Sequence, residues 1–365
     1  MKLNWNVNAN GKEKSRIGAR GTLKVFGLLM VVLLLMSGCA ASEPAEKLYV
    51  YNWGDYIDEN VLDEFETEFN VEVIYDTYAT NEDLYVKLKQ GGTPYDIAIP
   101  SDYMIEKMIR EDLVEPIDLA QISNFTAIDD RFKDLDFDPG NKFSVPYMWG
   151  TVGIIYNTAM IDEEIDSWNA LWDPKYEKQI LMLDSQRDSI AVALKKLGYS
   201  INTKSLEELE AAKAALIEQK PLVLAYAGDN LKDMMIGGEA AIAFCWSGDA
   251  VYMISENEDL AYVIPKEGSN LWFDNIVIPK GAQNVEMAHK FIDFLSRPEI
   301  GQKNAEYIGY STPNKETLAL LDPEISGDKT AYPDDADLAN LEVLLDLGDF
   351  IEAYNRVWTE VKSAR

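Results

Sequence analysis

The stretch LYVYNWGDYIDENVLDEFETEF, residues 48–69, contains one complete strand-to-helix unit. Residues 48–53 predict a β-strand, and Asp58 has the side chain of a helix N-cap. Apolar residues follow at helical spacing: Val61, Leu62, Phe65 and Phe69. Between the strand and the helix stand two large aromatic side chains and one acid: Trp53, Tyr56 and Asp55.

The same order of strand and helix recurs along the chain. Strands are predicted from YDIAIP (95–100), QILMLD (179–184), EAAIAFCW (239–246) and LWFDNIVIPK (271–280). YDIAIP is an almost unbroken apolar run, which is typical of a strand buried on both faces. Such alternation predicts an α/β fold with largely parallel sheets. The last element predicted is a helix over residues 338–363.

Length and charge limit the classes of function. The chain has 365 residues, more than one ordinary core needs, which predicts two lobes. A formal net charge of −30 excludes nucleic acid as a partner, because phosphate binding requires clustered Lys and Arg. Phosphate-binding glycine motifs are missing from the sequence, so no nucleotide cofactor is predicted. A single histidine, His289, predicts no His-rich metal site, and it is the only residue that could complete a Ser-His-Asp triad.

The first 38 residues have the order of a secretory signal. A basic leader precedes an apolar run over 25–36 and the sequence Ser37-Gly38-Cys39. That order predicts a lipoprotein signal peptide over 1–38 and acylation of Cys39. The alternative, an uncleaved membrane anchor, needs roughly 20 apolar residues. Residues 39–47 are then a tether, and the protein is exported and held on the outer face of the cytoplasmic membrane or in the periplasm.

Aromatic and acidic side chains recur where predicted strands end. In open α/β sheets, ligands bind outside the carboxyl ends of the strands, so these residues are expected to converge on one rim of each lobe. The candidates from this pattern are Trp53, Asp55, Tyr56, Ser101, Tyr103, Asp188, Trp246, Asp249, Trp272 and Asp274.

Aromatic faces and carboxylates together suit a cation. An aromatic face attracts a desolvated cation by about 0.5–2 kcal/mol, and a carboxylate hydrogen bond to an ammonium group adds roughly 1.5–3 kcal/mol. Three or four such contacts reach the roughly 8 kcal/mol of a micromolar complex. The pattern thus favours a receptor for an elongated polycation. Three alternatives stay open: ordinary packing and helix capping, a secreted carbohydrate-active hydrolase or sugar-binding protein, and a surface adhesin.

Six segments, in this order, resemble the spermidine/putrescine-binding proteins that serve polyamine ABC importers. They are YNWGDYI, YDIAIPSDYM, SVPYMWGTVGIIYN, SWNALWDPKY, LWFDNIVIPK and IGYSTPN. The resemblance implies a monomeric, non-catalytic receptor without cofactor or metal, which docks on the membrane subunits of an importer. It also implies that Tyr310 joins the candidates above as a ligand contact.

The resemblance further implies the type II periplasmic-binding-protein fold. Each lobe is a mostly parallel sheet flanked by helices, and the ligand lies in the cleft between the lobes, which closes around it. The expected lobes are 48–149 with 273–321, and 150–272 with 322–365. The crossing strands are expected near 149–152 and 272–274.

Four positions bear on which polyamine is preferred. Ser185 stands where members that prefer spermidine usually have a carboxylate, Leu344 where a Gln is frequent, and Gly54 where a hydroxyl residue is usual. Conversely, Asp249 resembles an acid of members that prefer putrescine. The balance favours putrescine or a broad range.

Overall fold

The computed structural model describes residues 46–364. The expected signal peptide (1–38), Cys39 and most of the tether lie outside the described residues. Within the described part of the chain, no helix is both long enough and apolar enough to cross a bilayer.

Strands and helices alternate as expected. The strands are β1 (Glu46–Trp53), β2 (Val71–Tyr78), β3 (Ile97–Ala98), β4 (Val114–Glu115), β5 (Ser144–Asn157), β6 (Ile180–Leu183), β7 (Val223–Ala227), β8 (Ile242–Trp246), β9 (Leu260–Val263) and β10 (Leu271–Pro279). The α-helices are α1 (Glu59–Phe69), α2 (Asn81–Gln90), α3 (Asp102–Arg110), α4 (Gln186–Lys196), α5 (Leu206–Gln219), α6 (Leu231–Ile236), α7 (Ser247–Glu256), α8 (Val285–Leu295), α9 (Pro298–Ile308), α10 (Lys315–Leu318), α11 (Pro323–Ser326), α12 (Asp335–Leu338) and α13 (Ile351–Ser363). Short 3₁₀ turns are Leu119–Gln121, Ser123–Ala127, Asp130–Phe132, Trp168–Trp172, Pro174–Tyr176, Lys220–Leu222 and Gly348–Phe350.

The first unit forms as the sequence predicts. The side chain of Asp58 accepts a hydrogen bond from the backbone N–H two residues later, at 3.0 Å, and so caps α1. Val61, Leu62 and Phe65 are the buried face of that helix. The predicted strand and helix of residues 48–69 are therefore confirmed.

The sheet order is β2-β1-β3-β10-β5-β8-β6-β7. β1 runs parallel to β2 and β3, and β6 runs parallel to β7 and β8. β10 runs antiparallel to both β3 and β5, so the sheet is parallel only in its outer strands. β5 pairs with β10 through its first half and with β8 and β9 through its second half. This strand thus carries the chain from one parallel group to the other.

Each parallel group has its own apolar core. In the first, the ring of Phe65 lies 4.9 Å from that of Phe291 and 5.3 Å from that of Phe294. In the second, Trp168 is fully buried, and its indole N–H donates to the carbonyl oxygen of Gly268 at 2.8 Å. Two cores on either side of β5 agree with two lobes, while the residue boundaries given above stay a prediction.

The predicted helix over 338–363 is wrong in its first half. Only α13, from Ile351, is α-helical there, apart from the end of α12 and the 3₁₀ turn Gly348–Phe350. The N–H of Glu342 donates to the carbonyl oxygen of Ser269, and the N–H of Leu271 donates to the carbonyl oxygen of Glu342, both at 2.9 Å. These long-range hydrogen bonds hold the segment extended although its leucines have helical spacing, because tertiary contacts override a weak local preference.

Candidate functional site

The predicted site residues come from both parallel groups of strands. Trp53 ends β1, Ser101 follows β3, and Asp188 lies in the first turn of α4 after β6. Trp246 ends β8, and Asp274 lies on β10, which separates the two groups in the sheet. Ser101 and Asp274 form a β-bridge, and Asp188 lies close enough to Asp274 for its charge to raise the pKa of that carboxyl group. Their role as ligand contacts stays a prediction.

Asp274 is the buried carboxylate of the site. It is 6% exposed. The hydroxyl of Tyr56 donates to its Oδ2 at 2.8 Å. Its Oδ1 is also buried and has no hydrogen-bond partner among the described residues. A buried oxygen without a partner is costly, and a ligand's N–H group would satisfy it.

Burial raises the pKa of Asp274 to about 7. The hydrogen bond from Tyr56 and the nearby side chain of Ser101 oppose this rise, and the nearby negative charge of Asp188 adds to it. Desolvation therefore dominates, as in a carboxyl group that is removed from water without a cationic partner. Perturbed acids of this kind cluster at functional sites.

Three aromatic rings enclose this carboxylate. The rings of Trp272 and Tyr310 lie 5.3 Å apart at 73°, and those of Tyr56 and Tyr310 lie 5.4 Å apart at 75°. Both are edge-to-face pairs, the arrangement that aromatic quadrupoles prefer. The indole N–H of Trp272 is buried without a partner among the described residues. The enclosure thus combines π-faces with polar atoms that are not yet satisfied.

Trp53 has a different role from Trp272. Its indole N–H donates to the carbonyl oxygen of Ile99 at 2.9 Å, and its ring packs 4.5 Å from that of Tyr78. The nitrogen is therefore used within the fold. What Trp53 can offer to a ligand is the face of its ring.

Asp188 is the second buried carboxylate. Ser185 donates its hydroxyl to Oδ2 at 2.7 Å, and Asn270 donates its amide to Oδ1 at 3.3 Å. Burial raises its pKa, and the hydrogen bonds from Ser185 and Asn270, together with the positive charge of Arg187, partly oppose the rise. The hydroxyl of Ser185 thus positions Asp188.

Asp249 is the third acid, and it already has a cationic neighbour. The hydroxyl of Tyr310 donates to its Oδ1 at 3.1 Å, and Nζ of Lys232 lies 3.9 Å from the same oxygen. Burial raises the pKa of Asp249 to about 6, while the charge of Lys232 and the hydroxyl of Tyr310 act in the opposite direction.

Three predicted residues lie at the edge of the site. The side chain of Asp55 is 78% exposed. Tyr103 donates its hydroxyl to Glu82 at 3.1 Å. Ser101 stands at the N-cap of α3 without a side-chain cap bond, and its Oγ instead accepts from the amide of Asn81 at 3.0 Å.

Sequence reasoning missed one group that the structure places here. Lys232 has no signal in the sequence, since it is one lysine on a helix of six residues. Arg187 does follow a predicted strand, and its guanidinium group lies 5.1 Å from the ring centre of Tyr103. Within residues 46–364, no cluster of His, Cys, Asp and Glu is arranged to hold a metal ion.

Gly150 is a position near the site where the packing requires a small residue. It pairs with Trp272 across β5 and β10, and an added Cβ would lie 2.5 Å from the indole ring and 2.6 Å from Oγ of Ser247. We expect Gly150→Ala to reduce the free energy of unfolding by about 1–3 kcal/mol, because the indole must shift. Urea unfolding measures this change. Gly228→Ala is the control, since a Cβ there meets no atom within 4 Å. Equal midpoints for the two variants would contradict the packing described.

Comparison with known proteins gives consistent matches. The family model described as bacterial extracellular solute-binding protein matches residues 60–334. The spermidine/putrescine-binding periplasmic protein of Salmonella typhimurium is 39% identical over 333 residues, 90% of this chain and 95% of the relative.

Two solved structures are also similar over most of their length. The spermidine/putrescine ABC transporter substrate-binding protein PotD from Streptococcus pneumoniae matches with a TM-score of 0.77 and 44% identity, over 87% of this chain and 99% of that one. The Tp0655 (TpPotD) lipoprotein of Treponema pallidum matches with a TM-score of 0.80 and 30% identity, over 87% and 99%. These matches confirm the expected two-lobed α/β fold.

Proposed function

The chain belongs to the family of bacterial extracellular solute-binding proteins, and we propose that within it the protein is a polyamine receptor. It binds putrescine, spermidine or both in the cleft and delivers them to the membrane subunits of an ABC importer. Proteins of this family bind a solute and are not enzymes. The alternative of a carbohydrate hydrolase is therefore excluded. The family also places the protein outside the cytoplasm.

The proposal depends above all on the surroundings of Asp274. Its Oδ1 is buried without a hydrogen-bond partner among the described residues, in the enclosure formed with the edge-to-face rings of Trp272 and Tyr310. The carboxyl group of Asp274 accepts a hydrogen bond from Tyr56 and, once ionised, requires a cation as its partner. A neutral sugar can form hydrogen bonds there but cannot supply that charge. A protonated amine supplies both the charge and the N–H donors.

The remaining contacts form the rest of the proposed cage. Asp188 and Asp274 interact closely enough for the charge of one to raise the pKa of the other, and neither forms an ion pair among the described residues. Two ammonium groups at the ends of an aliphatic chain would neutralise both. We assign the other contacts to π-faces and to the rim: Trp53, Tyr56, Trp246, Trp272 and Tyr310, with Asp55, Ser101, Tyr103 and Asp249.

Three similar proteins support the finer parts of the proposal. One relative is a periplasmic protein, another is an ABC transporter component, and a third is a lipoprotein. We therefore propose that Cys39 carries the lipid. We also propose that the protein acts as a monomer and that the two lobes have the boundaries predicted above, which agree with an apolar core on either side of β5. Its strongly negative charge would raise the local concentration of cations near the cleft.

A thermal-shift panel tests the function directly. We expect putrescine, cadaverine and spermidine to raise the melting temperature, because a ligand that binds only the folded state stabilises it by mass action. At a ligand concentration of 100 Kd the gain is about 2.7 kcal/mol. Neutral hexoses are the control and should give no shift. Stabilisation by sugars alone would overturn the proposal, and a flat response to every compound would favour the adhesin alternative.

A further inference from the structure

Lys232 lies at one end of the cleft, opposite two carboxylates. Its Nζ is 3.7 Å from Oδ2 of Asp55 and 3.9 Å from Oδ1 of Asp249. The Lys232 side chain is 18% exposed and that of Asp249 is 17% exposed. A lysine held this far from water, inside a site for cations, requires an explanation.

The acids of the cleft follow one another in space. Tyr56 donates to Asp274, its ring contacts that of Tyr310, and Tyr310 in turn donates to Asp249. Lys232 comes next, after Asp249. The order is therefore Asp274 in the enclosure, Asp249 beyond Tyr310, and the ammonium group of Lys232 at the end.

Asp229 is a further carboxylate near Asp55 and Asp249, and it helps to explain why a lysine is tolerated there. Gly54 lies so close to Asp229 that an added Cβ would be 3.8 Å from the carboxylate. The loop of Asp55 therefore meets another negative charge from the second group of strands. Without a cation, the three carboxylates would repel one another, and a closed cleft would be less stable.

We propose that Lys232 is a specificity-determining residue, whose ammonium group occupies the Asp249 end of the cleft and thereby favours diamines over triamines. This inference rests on the proposed function. A diamine places one charge at Asp274 and one at Asp188, so neither of its charges lies beside Lys232. A triamine has a third ammonium group, for which Asp249 would be the partner. Because Lys232 already lies beside Asp249, the two positive charges would repel each other.

Removal of the charge tests the inference. We expect Lys232→Met to raise the ratio of the putrescine Kd to the spermidine Kd by about tenfold or more, measured by titration calorimetry on the full protein. Lys232→Arg keeps the charge and should preserve the ratio. Lys266→Met is the matched control, since Lys266 pairs with Asp166 at 2.9 Å on the surface, where both side chains are more than half exposed.

A double substitution shows whether Lys232 acts through Asp249. If it does, Asp249→Asn in the Lys232→Met background should return the ratio to within about threefold of that of the unsubstituted protein. An unchanged ratio in Lys232→Met, or an equal loss of affinity for both amines, would refute the role of Lys232 in specificity and leave the proposed function intact. Failure of the unsubstituted protein to bind either amine would overturn the proposed function, and this inference with it.

Discussion

Replacement of Asp274 by Asn is expected to weaken polyamine binding by roughly 30-fold to several-thousand-fold. The substitution removes one partner of a buried, charged hydrogen bond, which costs about 2–5 kcal/mol of binding free energy. The amide is almost the same size as the carboxyl group, and its oxygen can still accept from the hydroxyl of Tyr56. Titration calorimetry with putrescine at pH 8 measures the effect.

The same substitution should not reduce the stability of the free protein. At pH 8 the carboxyl group of Asp274 is mostly ionised, since its pKa is about 7. It is also buried without a cationic partner among the described residues. A neutral amide avoids the cost of desolvating that charge. We therefore expect the melting temperature of the ligand-free variant to be equal to or higher than that of the unsubstituted protein.

Asp138 provides a control with the opposite pattern. It is also buried, and it accepts hydrogen bonds from the N–H of Phe143 at 3.0 Å and from the hydroxyl of Ser144 at 2.8 Å. Asp138→Asn should lower the melting temperature and leave the affinity unchanged, because these bonds hold a loop outside the cleft. If Asp274→Asn instead destabilised the protein and bound putrescine normally, Asp274 would be a structural residue.

The strand ends explain why so much of the site follows from the sequence. The carboxyl ends of parallel strands meet at one edge of a sheet, so the ends of β1 and β3, with Trp53 and Ser101, are expected near each other although they are far apart in sequence. Strand periodicity and the N-cap of Asp58 depend on short-range chemistry, which a single sequence contains.

Other features depend on contacts that no local pattern encodes. Asp55 belongs to the same strand-end motif as Trp53, yet its side chain is exposed, since the pattern does not fix the direction of a loop side chain. Lys232 reaches the cleft only because its short helix follows β7 at the correct place. Leu344 has helical spacing, but it is buried against Ala191 and Ile201 in an extended segment. In each case tertiary packing, and not the local sequence, determines where the side chain lies.

Polyamine binding should weaken as the pH falls from 8 to 5, by about 100-fold. Aliphatic amines have pKa values near 10.4 and stay charged over this range. The carboxyl group of Asp274, with a pKa of about 7, becomes protonated, and the amine must displace that proton in order to bind. Each pH unit below 7 thus costs about tenfold in affinity. Calorimetry in buffers of different ionisation enthalpy should show the release of up to one proton.

Stability of the ligand-free protein should change with pH in the opposite direction to affinity. The folded-state pKa of Asp274, about 7, lies above the ordinary value of 3.8, so the folded state binds the proton more tightly than the unfolded state. The resulting stabilisation is full below about pH 4 and is lost as the pH rises through 7. Asp274→Asn should abolish this contribution and the proton release together. An affinity independent of pH in the unsubstituted protein would show that the amine does not bind at Asp274.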